Sequence, residues 1–216
     1  MNEVSATPAA PTESRAEIVT AAATCFMRRG YDKTTIDDIA DALGATKGRV
    51  YHYFRSKSAI FFAVYREAMR YCFEAVEPIV AMPLPARERL QRMCEAHAMV
   101  MMTTLSFQRG IKQGLEIYMR GPTTEAERES FAELQALRDR YEGLFRKVLA
   151  EGTAAGDLHA PDIPLAGRVI LSALNGLPDW YRPRGDGDRI EAIAADMAAI
   201  LMSGVAARDT GTGPQA

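Results

Sequence analysis

The stretch TTIDDIADALGATKGRVYHYFRSK, residues 34–57, contains two helix starts, a short turn and three neighbouring aromatic residues. Thr34 or Thr35 can cap the first helix, because a threonine hydroxyl accepts a hydrogen bond from an unpaired amide of the first turn. Asp37 or Asp38 follows three residues later, as the acidic member of a capping box does. The stretch therefore begins with a short helix whose apolar residues recur at helical spacing: Ile36, Ile39, Ala40 and Leu43.

A second helix follows after a tight turn. Gly44 ends the first helix, and Thr46 caps the next one. Two short helices joined in this way form a helix-turn-helix, whose second helix enters the major groove of DNA with its N-terminal residues toward the bases. The charge of the surrounding segment agrees with a polyanionic partner, since residues 14–60 hold eight Lys and Arg against five Asp and Glu. The net charge of the whole chain, in contrast, is -2.

Periodicity assigns the outward face of this second helix. Val50 and Phe54 are four residues apart and face the core, so Gly48 and His52 lie on roughly the opposite face. Gly48 allows close approach of the backbone to DNA. Arg49 is the candidate for a bidentate contact to guanine, since its planar guanidinium matches O6 and N7. The residues that flank this face are Lys47, Arg49, Tyr51 and Tyr53.

Ser56 caps the helix that comes next, and Lys57 lies in its first turn. A positive charge is unfavourable at the N-terminus of a helix. The position of Lys57 is explained if its ammonium neutralises a DNA phosphate. We therefore expect Lys57 to contact the DNA backbone without reading its sequence.

The rest of the chain also has helical periodicity. Apolar residues recur at helical spacing after the Pro-rich break at residues 82–85, and again within residues 123–152, 162–177 and 190–201. No alternation typical of strands is present, so the sequence predicts an all-α fold. Residues 1–12 and 208–216 are rich in Pro, Ala, Thr, Gly and Ser without periodicity, which predicts disordered tails.

Composition excludes several classes of protein. Apolar residues make up 48% of the 216 residues, enough for a sizeable core, and no apolar run approaches the ~18 residues of a membrane span. With no secretion signal and three cysteines outside any C-x-x-C pair, we expect a cytoplasmic protein with reduced thiols and no membrane partner.

An enzyme is the rival class. Cys94 and His97, three residues apart, could form a thiol–imidazole pair. They also lie on an apolar stripe with Met93 and Met101, where a buried cysteine behaves as a small hydrophobe. Without a phosphate-binding loop, a nucleophile elbow or metal-ligand spacing, the sequence favours a protein that is not an enzyme and has no metal or cofactor.

Residues 34–57 closely resemble the DNA-binding signature of the tetracycline-repressor (TetR) family of transcription regulators, and with the preceding helix the resemblance covers about residues 14–60. It implies a homodimer that binds a near-palindromic duplex. It also implies a three-helix DNA-binding domain, residues 13–57, and a helical effector-binding and dimerisation domain, residues 58–207. Arg49 and Ser58 depart from the family, which often has a small residue and an acid at these positions. The residues that match DNA-contacting positions are Thr35, Thr46, Lys47, Tyr51, His52, Tyr53 and Lys57.

The segment LSALNGLPDWYRPRG, residues 171–185, is similar to a region of TetR-family regulators of lipid, sterol and branched-acid catabolism. Many of these respond to acyl-CoA thioesters, so the resemblance implies a repressor released from its operator by an acyl-CoA or fatty acid. The departure from the usual pattern is Gly176-Leu177-Pro178. The matching residues are Asn175, Trp180, Tyr181, Pro183 and Gly185.

Residues 87–121 are rich in methionine and aromatic side chains, which form either a core or the wall of an apolar pocket. In the pocket hypothesis, Arg109 meets the polar end of the effector. The competing hypothesis is a multidrug sensor for aromatic cations that controls an efflux gene; it requires buried acids, and residues 97–119 offer only Glu116. The expected ligand contacts besides Arg109 are Tyr65, Met69, Phe73, His97, Met101, Phe107, Tyr118, Asn175 and Trp180.

The segment VILSAL, residues 169–174, is apolar on faces that one protomer's core cannot all cover. We therefore expect the helices of residues 123–152 and 162–177 to pack against their symmetry mates as a four-helix bundle. In this hypothesis Leu171 lies in the interface, together with aromatic residues of the preceding helix: Phe131, Tyr141 and Phe145.

Overall fold

The computed structural model describes residues 11–120, 124–185 and 189–205. The regular elements within these ranges are all helices, which confirms the predicted all-α fold. They are α1 (Pro11–Arg29), α2 (Ile36–Ala42), α3 (Lys47–Tyr53), α4 (Lys57–Val80), α5 (Ala86–Thr103), α6 (Leu105–Arg120), α7 (Glu125–Ala155), α8 (Ile163–Asn175), α9 (Leu177–Trp180) and α10 (Ile190–Val205).

The helices form two compact units. The first unit contains α1 to α3, α4 up to Ala68, and residues 106–132, which include most of α6 and the start of α7. The second unit contains residues 69–105 and the chain from Glu133 onward. The predicted domain boundary between residues 57 and 58 falls in the first turn of α4, whereas the two units divide α4 after Ala68.

The ends of the first helices follow from their capping residues. Thr35, not Thr34, caps α2: its hydroxyl accepts a hydrogen bond from the amide of Asp38, and the Asp38 carboxylate accepts one from the Thr35 amide. Thr34 is buried and donates its hydroxyl to the Gly30 carbonyl at 2.7 Å. Gly30 and Gly44 have φ angles of 85° and 61°, a conformation that favours glycine. Gly44 ends α2 as predicted, and Gly30 ends α1 in the same way.

The structure changes the predicted start of α1. This helix begins at Pro11, so Pro11 and Thr12 are helical although the sequence assigned them to a disordered tail. The rest of the predicted N-terminal tail, and the predicted tail of residues 208–216, lie outside the described residues.

The core of the second unit is formed by the C-terminal part of α4 together with α5, α7, α8 and α10. Leu90 and Met93 of α5 pack there with Phe145 of α7 and Leu174 of α8, all fully buried. Tyr141 lies in the same core. The hypothesis that Tyr141 and Phe145 contribute to a dimer interface is therefore wrong, because both side chains are covered by their own protomer.

The two faces of α8 differ in exposure. Ile170, Leu171 and Leu174 point into the second unit, whereas Val169 is 56% exposed. Leu171 is thus not available for an interface, and its assignment there is corrected. Leu165, one turn before Val169, is also exposed, as is Ile200 of α10. The described part of the chain contains no helix long and apolar enough to traverse a bilayer.

Candidate DNA-binding surface and effector region

α3 presents its polar residues to solvent and buries its apolar ones. Thr46 caps it, since the Thr46 hydroxyl accepts a hydrogen bond from the amide of Arg49 at 3.4 Å. Val50 is fully buried, whereas Gly48 and His52 are exposed and the Tyr51 side chain is 46% exposed. The face predicted to meet DNA is therefore the solvent-exposed face of α3.

Lys47 stands at the start of this face and is exposed. Its ammonium donates to the Asp37 carboxylate at 3.0 Å and lies 5.9 Å from the centre of the Tyr51 ring. The hydrogen bond and charge of Asp37 raise the pKa of Lys47, so the ammonium stays protonated. Because this ion pair is exposed to solvent, a phosphate group can replace Asp37 at little cost.

Arg49 is directed toward α1. Its guanidinium donates to the Glu17 carboxylate at 2.5 Å and to the Ser14 hydroxyl at 3.2 Å. The guanidinium N–H groups that we expected to bind guanine are thus hydrogen-bonded within the protein. These hydrogen bonds attach α3 to α1. The assignment of Arg49 as a base reader stays a prediction, and it requires the guanidinium to leave Glu17.

Lys57 also has partners within the protein. Its ammonium donates to the backbone carbonyls of Tyr31 and Asp32, at 2.9 and 3.1 Å, and lies 4.5 Å from the centre of the Tyr31 ring. Partial burial lowers the pKa of Lys57. The hydrogen bonds to these carbonyls explain a positive charge in the first turn of α4 without a DNA phosphate. The phosphate contact stays a prediction.

The remaining predicted DNA contacts are Thr35 and Tyr53. Thr35 is exposed, but its hydroxyl already takes part in the capping box of α2. Tyr53 is half-buried, and its ring packs edge-on against His52 with the centroids 4.9 Å apart. The whole predicted set lies in the helix-turn-helix or the turns beside it, so the structure brings these residues together.

The second unit contains a buried polar group around His97. The ring nitrogen Nδ1 lies 2.7 Å from the Tyr141 hydroxyl, and Nε2 lies 3.1 Å from Oδ1 of Asn175. The amide oxygen only accepts, so Nε2 donates to Asn175 and Tyr141 donates to Nδ1. Burial lowers the pKa of His97 to about 4, although the hydrogen bond to Asn175 opposes this shift. His97 is therefore neutral at pH 7.

Phe73 joins this group, because its ring packs edge-on against Tyr141 at 5.1 Å between centroids. Three expected ligand contacts, Phe73, His97 and Asn175, thus meet around Tyr141. The sequence reasoning assigned Tyr141 to a dimer interface; its hydroxyl within an apolar helical stripe was the signal for a buried hydrogen-bonded role.

The other expected ligand contacts are distributed over both units. Met101 is buried in the core of the second unit, and Met69 packs against that core. Trp180 belongs to the same unit but is 55% exposed. Tyr65, Phe107 and Arg109 belong to the first unit, where Tyr65 and Phe107 are buried. The side chain of Tyr118 lies outside the described residues.

Cys94 and His97, the pair considered for catalysis, are both buried. Burial raises the pKa of the Cys94 thiol to about 12, so the thiol is protonated and a poor nucleophile. Both ring nitrogens of His97 are engaged by Tyr141 and Asn175. Among the described residues, no three His, Cys, Asp or Glu side chains are grouped so that they could hold a metal ion.

Two protein-family models match the chain. The model described as "Bacterial regulatory proteins, tetR family" matches residues 18–64, and "Tetracyclin repressor-like, C-terminal domain" matches residues 83–205. Among curated proteins, the HTH-type transcriptional repressor KstR2 of Rhodococcus jostii (strain RHA1) is 29% identical over 195 residues, which cover 89% of this chain and 91% of KstR2.

Solved structures have the same fold. The TetR-family transcriptional regulator PfmR from Thermus thermophilus is 32% identical, with a TM-score of 0.76 over 86% of this chain and 97% of PfmR. AibR in complex with isovaleryl coenzyme A and operator DNA is 22% identical, with a TM-score of 0.73 over 88% of this chain and 98% of AibR. The likeness to AibR concerns the fold alone.

Proposed function

The chain belongs to the TetR family and is a transcriptional repressor that binds operator DNA, and from this we propose that a small amphiphilic acyl thioester is the effector that releases it. Free fatty acids are the second member of the same effector class. The observation that carries the proposal is the hydrogen bond between the buried His97 and the exposed Asn175 at the edge of the apolar second unit.

Operator binding is explained by the exposed face of α3. With α3 in the major groove, Tyr51 and His52 face the base edges and Lys47 exchanges Asp37 for a phosphate. We propose that Gly48 allows the backbone of α3 to approach closely. Arg49 and Lys57 support this surface through their contacts with α1 and with the α1–α2 turn.

The effector proposal rests on the chemistry around Asn175. Oδ1 of Asn175 accepts a hydrogen bond from Nε2 of His97, so the side-chain NH2 group of Asn175 can donate to the carbonyl oxygen of a thioester. The methionine-rich core beside it suits a flexible acyl chain. AibR, which has the same fold, was crystallised with isovaleryl coenzyme A, an acyl thioester. KstR2 of Mycobacterium tuberculosis is described as a ketosteroid transcriptional regulator.

We further propose that the repressor is a homodimer whose two-fold interface is formed by α8 and α10. Leu165 and Val169 of α8 and Ile200 of α10 expose apolar side chains that the protomer leaves uncovered. A two-fold axis would place each such patch against its copy. This interface replaces the predicted one, in which the α7 helix was the partner of α8.

The experiment begins with an operator selected from random duplexes by the wild-type protein. Operator affinity is then titrated with isovaleryl-CoA, a long-chain acyl-CoA, the corresponding free fatty acid and a cationic aromatic dye. We expect at least one thioester to lower operator affinity by tenfold or more, which corresponds to a coupling free energy of ~1.4 kcal/mol. Release by the dye alone would contradict the proposal and favour the multidrug-sensor alternative.

Asn175→Ala tests the residue that carries the proposal, and Gln135→Ala, an exposed amide on α7, is its matched control. We expect Asn175→Ala to bind the operator normally without effector and to need at least tenfold more thioester for release. Gln135→Ala should respond as the wild type does. Equal thioester responses of the two variants would remove Asn175 from the effector site.

A further inference from the structure

Two glycines, one helical turn apart, bring α6 close to α1 and α4. A Cβ atom at Gly110 would lie 3.1 Å from Cβ of Phe26 and 3.2 Å from the backbone oxygen of Ala23, both in α1. A Cβ atom at Gly114 would lie 2.2 Å from Cε2 of Phe61 in α4. Glycine weakens a helix relative to alanine. The close approach of α6 to α1 and α4 therefore explains why glycine occupies these two helical positions.

Phe61 cannot easily move away from Gly114. Its side chain is fully buried, and four neighbouring rings pack against it. The centroid distances to Tyr31, Phe62, Phe26 and Tyr65 are 5.1, 5.6, 6.3 and 6.4 Å. The flat surface that Phe61 presents to α6 is therefore rigid, and it leaves room for a hydrogen atom but not for a methyl group.

The same two helices are connected to helix α3. α1 contacts α3 through the ion pair between Glu17 and Arg49. α4 is attached to the turn between α1 and α2 by the hydrogen bonds from Lys57 to the Tyr31 and Asp32 carbonyls. A displacement of α6 would thus act on α3 directly through α1, and through α4 on the turn that joins α1 to α2. All of these contacts lie within the first unit.

We propose that Gly110 and Gly114 are positioning residues for operator binding: they allow α6 to pack directly on α1 and α4, and this packing holds α3 in the position that fits the major groove. By this inference, α6 is a structural part of the DNA-reading unit. The proposal rests on operator binding and is independent of the nature of the effector.

The experiment compares Gly110→Ala and Gly114→Ala with Gly143→Ala. Gly143 is a matched control, because it lies inside α7 and a Cβ atom there would meet nothing within 4 Å. Affinity for the selected operator is measured by fluorescence anisotropy without effector, and circular dichroism and light scattering report folding and dimer formation. We expect Gly114→Ala to lower operator affinity at least tenfold and Gly110→Ala by about threefold. Gly143→Ala should stay within twofold of the wild type.

A rescue variant separates positioning from general stability. Phe61→Leu lacks the ring atoms Cε2 and Cζ that a Cβ atom at Gly114 would strike. The double variant Gly114→Ala/Phe61→Leu should therefore regain most of the operator affinity that Gly114→Ala loses, although Phe61→Leu alone removes buried contacts. Because Gly114 and Phe61 are in contact, relief of the clash would restore stability too, so the urea midpoint of each variant is measured beside its operator affinity. A purely structural role predicts that affinity is already that of the wild type in every variant that is folded under the assay conditions.

Two results would overturn the inference. One is that the Gly114→Ala variant, while folded and dimeric, binds the operator as tightly as the wild type does. If that variant does not fold, the same result for Gly110→Ala has this meaning. The other is a double variant no better than Gly114→Ala. If the wild type enriches no duplex from the random pool, operator binding itself fails, and the positioning role fails with it; that result is distinguishable because it precedes any variant.

Discussion

Acidification from pH 7.5 to pH 5 should destabilise this repressor through a single buried side chain, His97. In the folded protein the pKa of His97 is lowered to about 4 by burial, from an ordinary value of 6.5. Between these values the unfolded chain binds one more proton than the folded chain, so the free energy of unfolding falls as the pH falls. Over this pH interval the two pKa values give a loss of about 2 kcal/mol.

The assay is urea unfolding followed by circular dichroism at both pH values, at one fixed protein concentration. His97→Gln is the control, because glutamine can donate and accept hydrogen bonds but does not titrate. We expect the variant to be less stable than the wild type at pH 7.5 and to lose about 2 kcal/mol less on acidification. Hydrogen bonds from Thr35 lower the pKa of Asp38, and hydrogen bonds that include those from Thr124 lower the pKa of Glu127 against the effect of burial. These two carboxylates therefore lose their contributions to the free energy of unfolding mainly at more acidic pH, below the interval used here.

The refuting result is an equal loss of stability in the wild type and in His97→Gln between pH 7.5 and pH 5. It would mean that His97 is protonated in the folded protein above pH 5, and the proton arrangement assigned to Tyr141, His97 and Asn175 would then be wrong. An imidazole proton resonance of His97 that titrates above pH 5 would lead to the same conclusion.

Three further predictions concern the interface and the DNA-binding surface. Val169→Glu should convert the proposed dimer to a monomer in light scattering, because the two-fold axis would bring two glutamates into an apolar interface. Lys147 is exposed on α7, outside that interface, so the control variant Lys147→Glu should remain dimeric. Arg49→Ala should weaken operator and random DNA by a similar factor in anisotropy assays if Arg49 stays attached to α1 through Glu17. A loss of ~1 to 3 kcal/mol confined to one base pair would instead support the predicted base contact, for which the guanidinium leaves Glu17. Lys57→Met should lower the free energy of unfolding in urea by about 1 to 3 kcal/mol, because Lys57 donates to the Tyr31 and Asp32 carbonyls; an unchanged salt dependence of DNA binding would contradict its predicted phosphate contact. Lys47→Met should reduce the slope of that salt dependence by about one.

Contacts within a helix or a short turn were predictable from the sequence. The capping box joins Thr35 and Asp38, three residues apart, and the burial of Val50 follows from its place in the helical period. Gly44 and Thr46 mark the turn by the same local rules. These features depend on neighbours within one turn of the helix, so the order of residues contains all the information that they need.

Contacts between residues distant in the chain were decided only by the tertiary structure. Arg49 is 32 residues from Glu17, and His97 is 78 residues from Asn175, so no periodicity indicates that they meet. The exposure of Val169 beside the buried Ile170 likewise depends on which neighbouring helices cover α8. The sequence by itself determined the helices and the exposed face of α3, because hydrogen bonding and amphipathicity are local. Packing, which brings together side chains from separate parts of the chain, determined the partners of Arg49 and His97, the core position of Tyr141 and the place of α6 in the first unit.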